Sequence, residues 1–295
     1  MSNTTTPAGV QQAPPKGVVH RLILFADKVA PSLRPKFQTA LIRTFYSGLS
    51  VVLKSEDAAF LNYGYAPLDD DTMGLKLDPA DAPDRYSIQL YFRVAGAWDL
   101  RDKDVLEIGC GRGGGASFIT RYLKPASMTG VDISDRAVRF CRRRHPVDRL
   151  TFARGEAERL PFPSNSFDAV LNVESSHCYP SFERFVNEVA RVLRPNGAFL
   201  IADLRPLEDI AGMRSELAKR FTIIDEEAIT ANVVHALDLD SDRRTRLIQK
   251  RTPRFLHKSL ESFASVSGSP VFDAFTAGTL QYVRFVLQKP AEGSA

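Results

Sequence analysis

Cysteine is scarce in this chain: three in 295 residues, at positions 110, 141 and 178. An odd number with no CxxC pair excludes a disulfide framework and a zinc ribbon, and points to a reducing compartment. Long apolar runs are missing too. No stretch is long enough to span a bilayer. His20, Arg21 and Asp27 interrupt "VVHRLILFADKVA", so there is no basic-then-apolar signal pattern. The expected location is the cytoplasm. Nor is charge of one sign concentrated. The net charge is +4, and the densest basic run, Arg142-Arg143-Arg144, reads as the solvated face of a helix. With no dense basic patch and no appended RNA-binding module, no nucleic-acid partner is expected.

What is there is an ordinary globular composition, 44% hydrophobic and 25% charged, enough for one large domain with additions. Residues 1–18 are polar and proline-rich and are expected to form a disordered tail. Residues 19–100 read as a helical cap, with breaks at Pro31, Pro35 and Gly64 and an apolar stripe running from Phe37 to Val52. From 101 to 206 strands alternate with helices: "DVLEIG", "GGASFITRYL", "SMTGVDI", "SDRAVRFCRRRH", "LTFARG", "FDAVLNV", "FERFVNEVARVL" and "AFLIADL". This alternation predicts an α/β fold with a mostly parallel sheet covered on both faces. Residues 207–275 read as a mainly helical insertion with one apolar segment at "FTIID". Residues 276–295 supply a last core strand, "TLQYVRFVLQK", and a tail.

The glycines of "VLEIGCGRGGGAS" lie between the first strand and its helix, where they permit a tight turn and close approach of a ligand to the backbone. No Gly-Lys-Ser/Thr follows, which excludes a P-loop. Gly109, Gly111 and Gly114 satisfy G-x-G-x-x-G, so a dinucleotide stays open as the ligand. Asp132 ends the second strand, 21 residues after Gly111, where a carboxylate accepts both hydroxyls of a ribose; Ser134 is the better candidate to cap the next helix. Glu107, inside the first strand, favours adenosylmethionine over NAD. A buried carboxylate needs a partner, and a cationic amino-acid ligand supplies one.

"VLEIGCGRGGGA", "GVDIS", "GEAERLPFPSNSFDAVLNVES" and "EVARVLRPNGAFLIADL" together resemble a class I S-adenosylmethionine-dependent methyltransferase over about residues 104–205. "FLNYGYAP", "HCYPSFERFVNEVARVLRP" and "ADLRP" extend the resemblance to the phthiotriol/phenolphthiotriol dimycocerosates methyltransferases and related lipid O-methyltransferases. The resemblance implies a Rossmann-like sheet, mostly parallel with an antiparallel last strand, and S-adenosyl-L-methionine as cofactor. It places Glu107, Gly109, Cys110 and Gly111 along the methionine and ribose, Asp132 on the ribose hydroxyls and Ile133 on adenine. Gly155, Glu156 and Ala157 would border the adenine amino group, with Glu156 standing where most relatives have Asp. Asn172 would meet the methionine end through its backbone, and Tyr63, Tyr65 and Gln89 would close over the cofactor.

His177 falls just beyond the fourth strand, at the sheet edge where ligands of open α/β sheets bind. A neutral imidazole there could take the proton of a hydroxyl under methylation. Asp203, at the end of the fifth strand, would fix its tautomer. The expected reaction is methyl transfer to a hydroxyl or carboxyl oxygen of a hydrophobic small molecule. A C- or N-methyltransferase, an NAD-dependent oxidoreductase and a non-catalytic cofactor-fold protein are the competing expectations. Phe37, Phe45, Phe60, Phe255, Phe263, Phe272 and Phe275 are candidate substrate walls. Lys36, Arg43 and Lys54 mark a helix that could rest weakly on a membrane surface. Oligomerisation is neither required nor excluded by these motifs, and no metal site is expected.

Overall fold

The computed structural model of the chain describes residues 59–69, 73, 75–251 and 270–291. The predicted tail, the stripe from Phe37 to Val52, the basic residues Lys36, Arg43 and Lys54, and Phe255 and Phe263 lie outside the described residues. In chain order the main elements are α1 (Arg85–Ala95), β1 (Asp104–Ile108), α2 (Gly114–Phe118), β2 (Ser127–Asp132), α3 (Asp135–Arg144), β3 (Leu150–Arg154), β4 (Phe167–Val173), α4 (Phe182–Val192), β5 (Leu193–Pro206), α5 (Ile210–Ala218), β6 (Thr222–Ala228), α6 (Thr230–Arg251), α7 (Pro270–Thr276) and β7 (Leu280–Gln288).

The seven strands form one sheet in the order β3-β2-β1-β4-β5-β7-β6. The first five are parallel, while β7 runs antiparallel to both β5 and β6. Side chains alternate between two cores, as the pleat requires when both faces are covered. Val105 and Leu200 pack with α1, α2 and α6 on one face. Leu106 and Phe199 pack with α4 and α5 on the other. On α4, the accepting hydroxyl of Ser181 caps Arg184 N at 3.2 Å, and Phe185, Val186, Val189 and Val192 turn inward. Each such burial is worth about 1.5–3 kcal/mol. Asn196, exposed and at a φ of 62°, turns the chain within "RPNG".

Two expectations change. Residues 59–69 carry no helix; Gly64 at a φ of 89° and Pro67 hold them as an irregular, extended strap. The "FTIID" segment is strand β6, which pairs with β7 and widens the sheet, so 207–275 is not helical throughout. Buried Arg284 of β7 joins Asp225 and Glu227 of β6, and Arg93 of α1 meets the same Glu227 at 2.6 Å. That network fixes the added strand against the cap. Among the described residues no helix is long and apolar enough to cross a membrane.

Candidate functional site

The chain order reverses between β1 and β4, which are neighbours in the sheet. A crevice opens there, beyond the carboxyl ends of the strands, as expected of an open α/β sheet. It encloses about 1500 Å³, counting its open mouth. Its floor is the glycine-rich turn. Gly109 N and Cys110 N both donate to Val131 O, at 2.8 and 2.9 Å, tying the turn to β2. Gly109 has a φ of 75°, and a Cβ on it would lie 2.0 Å from Ser175 Oγ. Gly109→Ala should therefore cost about 2 kcal/mol or more, from left-handed backbone and a broken contact; chemical denaturation at wild-type stability would refute this. A Cβ on Gly111 would meet only Leu61, at 3.7 Å, so this glycine faces the open space.

Gly109, Cys110, Gly111, Asp132, Ile133, Gly155, Glu156, Ala157 and His177 all line the crevice. The Asp132 carboxylate accepts from Gly111 N at 3.0 Å and Ser134 N at 2.8 Å. A carboxylate has about four lone-pair sites, so two remain for hydroxyl donors. Burial raises its pKa, and the two N–H groups oppose that rise. Ser134 caps α3 through Ala137 N, which frees Asp132 from that task.

Other predicted positions stand back from the wall. Glu107 is buried beneath it and accepts from the Tyr91 hydroxyl at 2.6 Å. Asn172 is fully buried; its amide donates to Ile108 O at 2.9 Å and Tyr179 Oη at 3.0 Å, and Val173 takes its place in the lining. Tyr65 and Gln89 are buried outside the crevice, whereas Tyr63 lines it. Phe60 is a wall residue, but Phe275 packs edge-on beneath Tyr63 at 5.9 Å as core, and Phe272 is partly buried against that core. The sequence reading missed Leu61, Tyr91, Ser175 and Tyr179 as lining residues. The small-residue opening at Gly115, where a Cβ would overlap the Tyr91 ring, was the available signal for Tyr91.

His177 sits in a short turn, Ser176–Cys178, that leaves β4 toward β5. Its Nδ1 lies 2.7 Å from Asp203 Oδ1, and its backbone N donates to Asp203 Oδ2 at 2.8 Å. Asp203 is fully buried and also takes Ser176 Oγ at 2.5 Å and the Arg205 guanidinium at 3.0 Å. Burial alone would raise the Asp203 pKa, but His177 and Arg205 hold it below the carboxylate range. Burial likewise works to lower the imidazole pKa, yet the Asp203 charge and hydrogen bond lift it well above the usual value.

Two carboxylates near the crevice have no cationic side chain bonded to them among the described residues. Burial pushes both Glu107 and Glu174 up to about 7. Glu107 Oε2 makes no hydrogen bond of ordinary geometry. Glu174 Oε2 accepts from Tyr63 N at 2.8 Å and the Tyr282 hydroxyl at 3.1 Å. One buried acid and one half-buried acid of this kind suit a cationic ligand. Together with the open face at Gly111 and the free lone pairs of Asp132, they fit a nucleoside carrying positive charge. No group of three or more metal-ligating side chains occurs among the described residues.

Comparison with known proteins agrees. A methyltransferase-domain family matches residues 106–201. A fatty-acid O-methyltransferase of Mycolicibacterium smegmatis is 40% identical over 92% of this chain and 98% of its own. A phthiotriol/phenolphthiotriol dimycocerosates methyltransferase of Mycobacterium tuberculosis is 41% identical over 84% of this chain and 91% of its own. Among solved structures, the [4+2]-cyclase SpnF superposes with a TM-score of 0.67 at 20% identity, over 86% of this chain and 97% of its own. That last likeness concerns the fold alone. The dinucleotide alternative left open by the glycine pattern falls with these relationships: the chain belongs to the class I S-adenosylmethionine-dependent methyltransferases.

Proposed function

We propose that the protein transfers a methyl group to an oxygen atom of a lipid-type acceptor, with His177 as general base and Asp203 as the residue that positions it. The observation that carries this reading is the 2.7 Å contact between His177 Nδ1 and fully buried Asp203 at the crevice rim. It engages Nδ1, and the residue lines the crevice. The relatives named for fatty acids and for phthiotriol lipids support the acceptor class, as do Phe60, Leu61 and Val173 in the crevice wall.

S-adenosylmethionine, when bound, supplies an electrophilic methyl group on a sulfonium. Asp132 would accept from the ribose hydroxyls, Ile133 would pack on adenine, and Gly155 to Ala157 would border its edge. Gly109 to Gly111 would let the chain approach closely. At the other end His177 Nε2 would take the acceptor's hydroxyl proton as the oxygen bonds to the methyl carbon and the carbon–sulfur bond breaks, its electron pair staying on sulfur to leave a neutral thioether. Asp203 stabilises the imidazolium that results.

The sign of the pH effect follows from the raised imidazole pKa. The base is active only when neutral, so kcat/KM on a hydroxyl acceptor should rise with pH to a midpoint above the ordinary imidazole value of about 6.5. Asp203→Asn removes the charge that holds the proton and should move that midpoint downward while lowering the plateau. A carboxylate acceptor has no proton to lose and should show no such rise. A flat profile on a hydroxyl lipid, or a midpoint that Asp203→Asn leaves in place, would contradict the base role.

A further inference from the structure

The crevice holds a carboxylate that proton transfer does not use. Glu174 follows directly on β4 at a φ of 51°, a left-handed backbone that a non-glycine residue adopts only where its surroundings enforce it. The enforcing contacts are neutral: Tyr63 N from the strap and the Tyr282 hydroxyl from β7, both on Oε2. Tyr91 of α1, His177 of the turn and Asp203 of β5 are the other titratable groups near it. The tyrosine hydroxyls there are held neutral by burial, and Asp203 is committed to His177 and Arg205. Glu174 nevertheless lines the crevice.

Its place along the crevice defines what it meets. A nucleoside held by Asp132 at the end of β2 and by the turn after β1 extends toward β4, the next strand over. The sulfonium therefore arrives at the end of β4. The other lining carboxylates lie elsewhere: Asp132 at the ribose, Glu156 beyond β3, and Glu158 in an ion pair with Arg184.

We infer that Glu174 is the specificity-determining residue that reads the sulfonium charge, favouring the cationic donor over its neutral thioether product. The inference rests on the proposed seating of S-adenosylmethionine in this crevice. Loss of the sulfonium charge on methyl transfer removes that partner from the carboxylate, which loosens the product. Specificity is a difference of affinities, so the test compares two ligands.

Calorimetric titration of the full-length protein at about pH 8, where the carboxylate is ionised, would use S-adenosylmethionine and S-adenosylhomocysteine. Glu174→Gln keeps acceptors for Tyr63 N and Tyr282 and removes only the charge. It should weaken the donor about tenfold or more, the scale of a partly screened charge pair, and change the product by less than about twofold. Equal losses for both ligands, or none, would overturn the inference. The donor-to-product affinity ratio of His177→Ala between about pH 6 and pH 8.5 is a second reading that keeps Glu174 intact. It should rise with pH as Glu174 ionises, and a flat ratio would overturn the inference. A wild-type protein that binds neither ligand would instead defeat the cofactor seating itself.

Discussion

His177→Ala should lower turnover ~10²–10⁴-fold on a hydroxyl acceptor, the span a positioned general base contributes. Donor affinity should be no weaker than in the wild type. The ring is held by Asp203 rather than by the glycine-rich turn, so its loss leaves the proposed nucleoside contacts intact. Residual activity is expected, because aligning donor and acceptor supplies ~7–11 kcal/mol on its own. Steady-state kinetics with a saturating donor would measure the effect. Unchanged turnover would reduce His177 to a wall residue.

Asp132→Ala should cost about 2–4 kcal/mol of S-adenosylmethionine binding, the loss of one or two charge-assisted hydrogen bonds. The same carboxylate accepts Gly111 N and Ser134 N, so alanine also frees part of the turn. Asp132→Asn is the milder change. Gly111 N and Ser134 N meet different oxygens of Asp132, so the amide oxygen serves only one of them, and affinity and unfolding stability should both fall between those of the wild type and the alanine variant. Calorimetry showing wild-type affinity for the alanine variant would remove Asp132 from the ribose contact.

The strand–helix alternation, the glycine-rich turn and the Asp132 position were legible in the sequence because each is a local pattern with a fixed spacing. The His177–Asp203 pair was legible because topology brings the ends of β4 and β5 together. Residues in the cap were harder. Tyr63 and Tyr65 would share a face in a regular strand, but Gly64 at a φ of 89° parts them, sending one to the crevice and the other to the core. Gln89 and Tyr91 lie on opposite faces of α1, and it is Tyr91 that reaches Glu107. The Ser175–Tyr179–Asn172 chain depends on Tyr179 folding back over Gly109, at 2.6 and 3.0 Å to its two partners, which no periodicity encodes. Glu174 was legible as an acidic residue close to His177 after the fourth strand, but its contacts with Tyr63 and Tyr282 are long-range and no local pattern encodes them.

The proposal these side chains support together is that the crevice delivers a methyl group to a lipid oxygen. The direct measurement is incubation of the full-length protein with methyl-labelled S-adenosylmethionine and two long-chain lipids, one with a free hydroxyl and one with a free carboxyl. Mass spectrometry then locates the label. The account predicts a methyl ether or methyl ester, with ether formation collapsing in His177→Ala. Label on carbon or nitrogen, or donor binding with no transfer to either lipid, would contradict it.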